Sequence, residues 1–417
     1  MKILWITNIV FPEAERLLTE SESLKTSGGW LFGMADVLLE YGSGVSLTVA
    51  TVSPKVKKLT KLRGERITYY LLPYGKGNLR RNPEYEPFWK KVKEEVLPDV
   101  VHIHGTEFSH GLAYVNACGA DNVVLSIQGM TSACSYYYCH GLKFWEIVSH
   151  FTFKDVVRGG IFSGRRLFRT RGEFENELIG KVRHVIGRTS WDKARTWAVN
   201  PDAKYHFCGE VLRNEFYDGS IWNRDECDKH TVFVSQADYP IKGFHQLLRA
   251  MPLVLRHYPD AKIRVAGCDF MAHGNLRERL RFSGYANIIA SLIKKLHLKV
   301  ECTGKLTAEE MKREYLRCNV FVCPSAIENS PNSLGEAQIL GVPVVASYVG
   351  GVPDMMKGDE EHLYRFEEVE MLAEKICEIF AGKTDTERMR QAAMRRHDGK
   401  NVADTLMKIY GICSQKF

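Results

Sequence analysis

Two glutamates, Glu328 and Glu336, stand eight positions apart on either side of a pattern that starts a helix. The stretch Val320 to Gln338 reads as a buried strand over Val320 to Cys323, a turn at Pro324 and an irregular loop carrying Glu328. A helix follows, with Ser330 as N-cap and Pro331 at its first position. A helix starting near Asn332 presents free N–H groups and the positive end of its dipole, both of which attract phosphate. A carboxylate on either side accepts hydrogen bonds from neutral hydroxyls, and a nucleotide carrying a sugar needs both services. The plain alternative is electrostatic, because glutamate is favoured in the first turn of any helix.

Other residues of chemical interest lie at the ends of apolar runs. Gly28-Gly29 separates a first apolar run from a helical pattern over Trp30 to Tyr41, and glycines there let the backbone approach a ligand with a helix N-terminus behind it. His102, His104 and Glu107 gather at the end of the run Val100 to His104. Strand alternation puts both histidines on one side, so one is expected as a hydrogen-bonded core residue, and His104, at the sheet's edge, is expected to face a ligand. From Lys154 to Arg171, six basic residues (Lys154, Arg158, Arg165, Arg166, Arg169, Arg171) stand against one acid, Asp155, interleaved with Phe151, Phe153, Val156, Val157, Ile161, Phe162, Leu167 and Phe168. That mixture suits an anionic membrane surface, or an anionic acceptor carried on lipid. The competing reading is a solvated basic face over a core, and Gly159, Gly160 and Gly164 interrupt a continuous helix. No nucleic-acid-binding module accompanies the charge. Cys134 and Cys139-His140 lack a second half for a zinc site, and no Asp-x-Asp pattern offers carboxylates to a metal.

These residues need elements to hold them. Apolar runs at Ile3 to Thr7, Val45 to Val52, Ile67 to Leu72, Val100 to His104, Val123 to Ile127 and His184 to Gly187 alternate with helical patterns, among them Glu86 to Glu95 and one after Ser190. Such alternation predicts an α/β fold with a doubly wound parallel sheet, whose ligands sit at the carboxyl ends of the strands. Tyr205 to Phe216 and the polar run Asn223 to Lys229 read as a linker. The alternation then restarts with strand Thr231 to Ser235, loop Gln236 to Gly243, helix Phe244 to His257 and strands Lys262 to Gly267 and Val300 to Thr303. Thr307 and Glu310 form a capping box for a helix ending near Arg317. Helices Val369 to Ala381, Thr384 to Arg396 and Asn401 to Tyr410 close the chain.

A chain of 417 residues, 45% hydrophobic and 26% charged, has room for two or three domains of ordinary globular composition. No apolar run reaches the ~18 residues that span a bilayer, and Met1 to Trp5 is too short for a signal peptide. Eleven scattered cysteines suit reduced, packed thiols. The expected location is the cytoplasm, peripheral at the inner face of the cytoplasmic membrane.

With its flanks, the stretch around Glu328 and Glu336 resembles the Glu-x7-Glu motif of retaining glycosyltransferases of the GT-B fold, glycosyltransferase family 4. Pro324-Ser325 precedes it, and Gly341-Val342-Pro343-Val344-Val345-Ala346 and Gly350-Gly351-Val352-Pro353-Asp354 follow. Pro98 to Gly105 is similar to the family's Asp-Val-Val-His-x-His strand. The resemblance implies two Rossmann-like doubly wound domains facing across a cleft, an N-terminal acceptor-binding domain over 1–210 and a C-terminal donor-binding domain over 211–399. It also implies a helix over 400–417 crossing back to the N-terminal domain. It assigns Glu328 to hydroxyls of the donor sugar and Glu336 to the ribose, with Lys242, Asn332, Ser333 and Leu334 at the diphosphate. Gly28 and Gly29 would lie beside the diphosphate and the acceptor, and His104 in the catalytic group. Two positions depart from the family. Gln236 stands where an Arg usually precedes the Lys by six residues, leaving Arg188, Arg213 or Lys305 to supply the second cation, or Lys242 to suffice with helix N–H groups. Gln128 stands near where relatives carry a sugar-touching histidine, and it can hydrogen-bond but not titrate. The implied reaction moves a sugar from a nucleotide donor to a saccharide acceptor, lipid-linked and in surface polysaccharide or glycolipid assembly. It proceeds with retention, the leaving phosphate helping to deprotonate the acceptor, and with no cofactor or metal beyond the co-substrate. A GT-B nucleotide-sugar epimerase and a non-catalytic nucleotide-sugar-binding protein are the competing functions.

Overall fold

The computed structural model describes residues 1–19, 28–73, 83–267, 283–382 and 384–415, with the backbone alone of Lys154 and Arg158. Residues 20–27, which lead into the Gly28-Gly29 pair, lie outside the described set. The chain divides into two compact units, one built from 1–133, 167–211 and 397–417, the other from 134–166 and 212–396.

The first unit holds strands β1 (Lys2–Ile6), β2 (Ser46–Ser53), β3 (Thr60–Arg63), β4 (Ile67–Pro73), β5 (Val100–His104), β6 (Val123–Ser126), β7 (His184–Gly187) and β8 (Lys204–Phe207). They lie in the order β3-β4-β2-β1-β5-β6-β7-β8, parallel except for β3, which pairs antiparallel with β4. β1 after Lys2 and the whole of β5 are buried on both faces, as strands inside a covered parallel sheet are, and the polar side chains of β5, His102 and His104, are buried with the rest. On one face Trp5, Leu31, Met34, Leu38 and Tyr410 pack together, and on the other Leu4, Ile103, Trp89, Tyr114 and Leu178 do so.

β8 corrects the linker reading of Tyr205 to Phe216. Lys-Tyr-His-Phe is β-prone and pairs parallel with β7 as a partly exposed edge strand, and a 3₁₀ turn covers Asn214–Tyr217. The final helix, Gly399–Ser414, is capped by the Asp398 side chain and packs within the first unit through Val402, Leu406, Ile409 and Tyr410.

The second unit holds β9 (Thr231–Val234), β10 (Lys262–Ala266), β11 (Val300–Gly304), β12 (Val320–Cys323), β13 (Val344–Ser347) and β14 (Leu363–Tyr364), in the parallel order β11-β10-β9-β12-β13-β14. Helix Ala308–Arg317 carries the expected capping box, with Thr307 Oγ1 accepting from Glu310 N and Glu310 accepting from Thr307 N. The segment 134–166, expected in the N-terminal domain, groups with this unit. Glu146 pairs with Arg249 and the His140 carbonyl meets His245 Nε2 at 3.1 Å.

Candidate active site

In the second sheet, strand order reverses between β9 and β12, and in open α/β sheets ligands bind beyond the strand ends at such a switch point. Lys242 lies in the loop after β9, and Glu328 in the loop after β12. These loops touch through glycine. Gly243 has φ +68°, and a Cβ there would stand 1.7 Å from the Pro324 carbonyl oxygen. Gly350 has φ +53°, and its Cβ would stand 1.9 Å from the Glu328 carbonyl oxygen. Only glycine fits either position. Three hydrogen bonds complete the clamp: Ala326 N to Ile241 O at 2.7 Å, Gly351 N to Glu328 O at 3.0 Å, and Ser347 Oγ to Ser325 O at 2.6 Å.

The clamp fixes the side chains. Lys242 Nζ donates to Glu328 Oε1 at 2.7 Å, and Ser325 Oγ donates to the same oxygen at 2.9 Å. Burial works against the lysine's charge, but the Glu328 carboxylate outweighs it and holds the ammonium above its ordinary pKa. Lys242 is therefore a fixed cation at neutral pH.

Four residues after Glu328 begins the helix Asn332–Ile339. Its N-cap is Pro331, with φ −68° and ψ 122°, and no side chain caps it, which corrects the expectation of Ser330 as N-cap. Pro331 is still extended, and its carbonyl accepts the first bonds, from Leu334 N at 3.0 Å and Gly335 N at 3.3 Å. Leu334 therefore turns its side chain into the core and its N–H back to Pro331, whereas Asn332 and Ser333 remain partly exposed at the helix start.

Glu336 lies one turn further in and is 4% exposed. Both its oxygens are occupied, Oε1 by Arg213 Nε at 2.7 Å and Oε2 by Arg213 Nη2 at 2.8 Å. Burial raises the carboxyl's pKa, and the guanidinium opposes that rise. Arg213 also lies over the Phe216 ring, 4.9 Å from its centroid. Of the three cations considered as a substitute at Gln236, Arg213 is thus committed to Glu336 and Arg188 pairs with Glu210 in the first unit, while Lys305 is exposed just after β11. Gln236 is half-buried after β9.

In the first unit, strand order reverses at β1 and β5. Gly28 is the left-handed residue (φ +87°) before helix Gly29–Tyr41, and a Cβ there would meet Ile9 Cδ1 at 2.0 Å. Glu107 joins three strand ends. It accepts from Asn8 Nδ2 at 2.7 Å and from Gly129 N at 3.3 Å, and burial pushes its carboxyl up.

His102 is the satisfied core histidine, bonded to Tyr410 Oη and Ser126 Oγ at 2.6 Å each. His104 does not face outward as expected; it is 3% exposed, stacked on His102 at 3.7 Å and beside Trp5 at 4.3 Å. Its Nε2 has no hydrogen-bond partner among the described residues, and burial keeps the ring neutral. With Ser126, Arg188 and Glu210 it lines a small cavity.

Gln128 has both ends of its amide engaged, donating to Glu210 Oε1 at 2.6 Å and accepting from Arg188 Nη1 at 3.3 Å. Glu210 escaped the sequence reading because it falls in the segment read as linker. So did Glu175, which accepts from Thr106 Oγ1, Thr131 N and Ser132 N and fixes the loop after β6; no local pattern marks either residue. Among the described residues, Asp359, Glu361 and His362 bring three ligand-type atoms within 4.8 Å of one another. None of the residues expected at the donor site belongs to that group.

Residues 228–381 match the family model for glycosyl transferases group 1. This segment belongs to glycosyl transferases group 1. It contains Gln236, Lys242, Glu328, Asn332 and Glu336, while Arg213 precedes it. A glycosyltransferase of Methanocaldococcus jannaschii is 32% identical over 138 residues, 33% of this chain and 32% of that protein. The phosphatidyl-myo-inositol mannosyltransferase of Mycobacterium tuberculosis is 27% identical over 190 residues, 44% of this chain and 47% of the relative. The chain thus spans about half the length, or less, of the curated relatives it matches. Solved structures agree over nearly the whole chain. Sucrose-phosphate synthase from Thermosynechococcus elongatus has a TM-score of 0.69 at 17% identity, covering 99% of this chain and 98% of its own. Anabaena HepE in complex with UDP-glucose has a TM-score of 0.63 at 15% identity, covering 99% and 100%. The group 1 segment thus sits in a GT-B fold of two parallel-sheet domains.

Proposed function

We propose that this protein is a retaining glycosyltransferase that moves a sugar from a nucleotide-sugar donor to a saccharide acceptor carried on a lipid. The observation that carries the reading is the Lys242–Glu328 pair, clamped at a switch point four residues before an uncapped helix start. Two relatives, a phosphatidyl-myo-inositol mannosyltransferase and a phosphatidylinositol N-acetylglucosaminyltransferase subunit, support the lipid acceptor. HepE, solved in complex with UDP-glucose, supports the donor class.

As the glycosidic bond to the donor breaks, the diphosphate gains negative charge. Lys242 and the N–H groups of Asn332 and Ser333 are the fixed donors for that charge, and stabilising it where it develops is the largest lever such a site has. Glu328, oriented by Lys242 and Ser325, takes hydroxyls of the donor sugar, and Glu336, oriented by Arg213, takes the ribose hydroxyls. The leaving phosphate helps deprotonate the acceptor on the face it departs, which retains configuration. Gln128, His104, Gly28, Gly29 and Glu107 belong to the first unit, which takes the acceptor. Contact with an anionic membrane surface through the basic segment Lys154 to Arg171 brings enzyme and acceptor together.

The test is transfer of labelled sugar from a panel of nucleotide sugars to lipid extracts, with the anomeric configuration of the product read by NMR. Lys242→Ala is expected to cost on the order of 100- to 1000-fold in rate, as does losing one oxyanion donor. A product of inverted configuration, or full activity without Lys242, would contradict the reading.

A further inference from the structure

Within the second unit, the segment 134–166 turns its apolar residues outward. Trp145 and Phe153 are each 76% exposed, Val156 70% and Val157 68%, with Phe144 and Tyr136 also exposed. Single exposed hydrophobic residues are ordinary, but a contiguous group marks a contact surface. Here they form two groups within one stretch of chain. Phe144 lies 5.3 Å from Trp145 and 6.0 Å from Phe162, which lies 5.9 Å from Phe151 (ring centroids). Phe153, Val156 and Val157 share one face of the helix Phe153–Arg158, at i, i+3 and i+4.

The inward side of the segment is held by polar groups instead. Glu146 accepts from Arg249 Nη2 at 2.8 Å on both oxygens, and Arg249 Nη1 reaches the Gly141 carbonyl. Asp155 is 4% exposed and caps the helix at Thr152. Both acids of the segment are thereby turned inward, and the charges left at its surface are basic: Lys143, Arg165 and Arg166. Exposed Trp, Phe and Val side chains in a segment whose exposed charges are basic match the acyl boundary of an anionic bilayer, where aromatic rings settle at headgroup depth.

We propose that Phe144, Trp145, Phe153, Val156 and Val157 insert into the acyl boundary of an anionic lipid bilayer, so that the protein is held by apolar burial as well as by charge. The proposal rests on the reading of a lipid-borne acceptor, and it adds residues and a depth that the basic segment alone does not specify.

The test uses the full chain with vesicles of phosphatidylcholine alone and of phosphatidylcholine with phosphatidylglycerol, followed by flotation and by tryptophan quenching with lipids brominated along the acyl chain. The protein is expected to float with the anionic vesicles and to be quenched. Trp145→Phe keeps binding and loses most of the quenching, and Phe153→Ser weakens partitioning about tenfold, the scale of one exposed aromatic that loses its burial. Both side chains are exposed, so unchanged melting confirms that each variant folds.

Three outcomes overturn the proposal: no flotation, flotation abolished by salt with no acyl-chain quenching, or a dimer in solution that Phe153→Ser dissociates. Stabilisation of the same preparation by a nucleotide sugar reports separately on the donor site. Its persistence without vesicle binding rejects the inserted surface alone, and its absence rejects the transferase reading.

Discussion

Arg213 and Glu336 form the most closely bonded charge pair of the proposed donor site, and burial makes each depend on the other. Removing one partner of a buried pair leaves an uncompensated charge, which typically costs about 3–5 kcal/mol. Arg213→Ala is therefore expected to destabilise the protein by about that amount at neutral pH. Glu336 already has its carboxyl raised by burial, and loss of the guanidinium raises it further. A carboxyl with a raised folded-state pKa binds its proton before the unfolded chain does, so stability is gained as pH falls through that value and lost as pH rises. The deficit of Arg213→Ala should shrink in chemical denaturation as pH is lowered toward 4.5, the ordinary value for glutamate. Adding Glu336→Gln should remove most of it at neutral pH. A deficit of the same size at every pH would show that Arg213 acts by packing on Phe216 instead.

At the scale of elements, the site depends on loops that touch where a side chain cannot fit. Gly350→Ala would put a methyl group against the Glu328 carbonyl in a left-handed backbone conformation. The expected loss is roughly 2 kcal/mol or more of stability, together with weaker nucleotide binding, because the loop carrying Glu328 moves. Gly304→Ala is the control. It is left-handed too, but has nothing within 4 Å of the added Cβ, so it should show the backbone cost without the loss of binding. Equal effects of the two on nucleotide affinity would argue against the clamp.

The elements themselves were largely legible. β5, β7 and helix Phe244–His257 fall on the expected bounds, because glycine or proline punctuates an end of each: Pro98 and Gly105 around β5, Gly187 at the end of β7 and Gly243 before the helix. The start of helix Asn332–Ile339 was displaced by one residue because a proline that can open a helix can equally cap it.

At the scale of the whole molecule, two parallel sheets follow from the repeated strand–helix alternation, and Lys242 and Glu328 meet because the switch point of the second sheet brings their loops together. Neither Glu210 nor Arg213 was assigned to its partner, since each pair joins residues more than 20 positions apart that no periodicity connects: Arg188 with Glu210, and Arg213 with Glu336. For Phe153, Val156 and Val157 the sequence left two readings open, a membrane-facing surface and a basic face over a core; the three side chains are exposed, while Glu146 and Asp155 are turned inward.

The central claim is that the second unit binds a nucleotide sugar through Lys242, Glu328 and Glu336. The most direct measurement is a thermal-shift panel of the full chain with UDP, GDP, ADP, CMP and dTDP sugars, beside Lys242→Ala and Glu336→Ala. A ligand at 100 times its dissociation constant stabilises by roughly 2.7 kcal/mol through mass action, a readily seen shift. The account predicts that one nucleotide class stabilises the wild-type protein and that both substitutions abolish the shift. No shift with any nucleotide, or a shift that survives both substitutions, would contradict it.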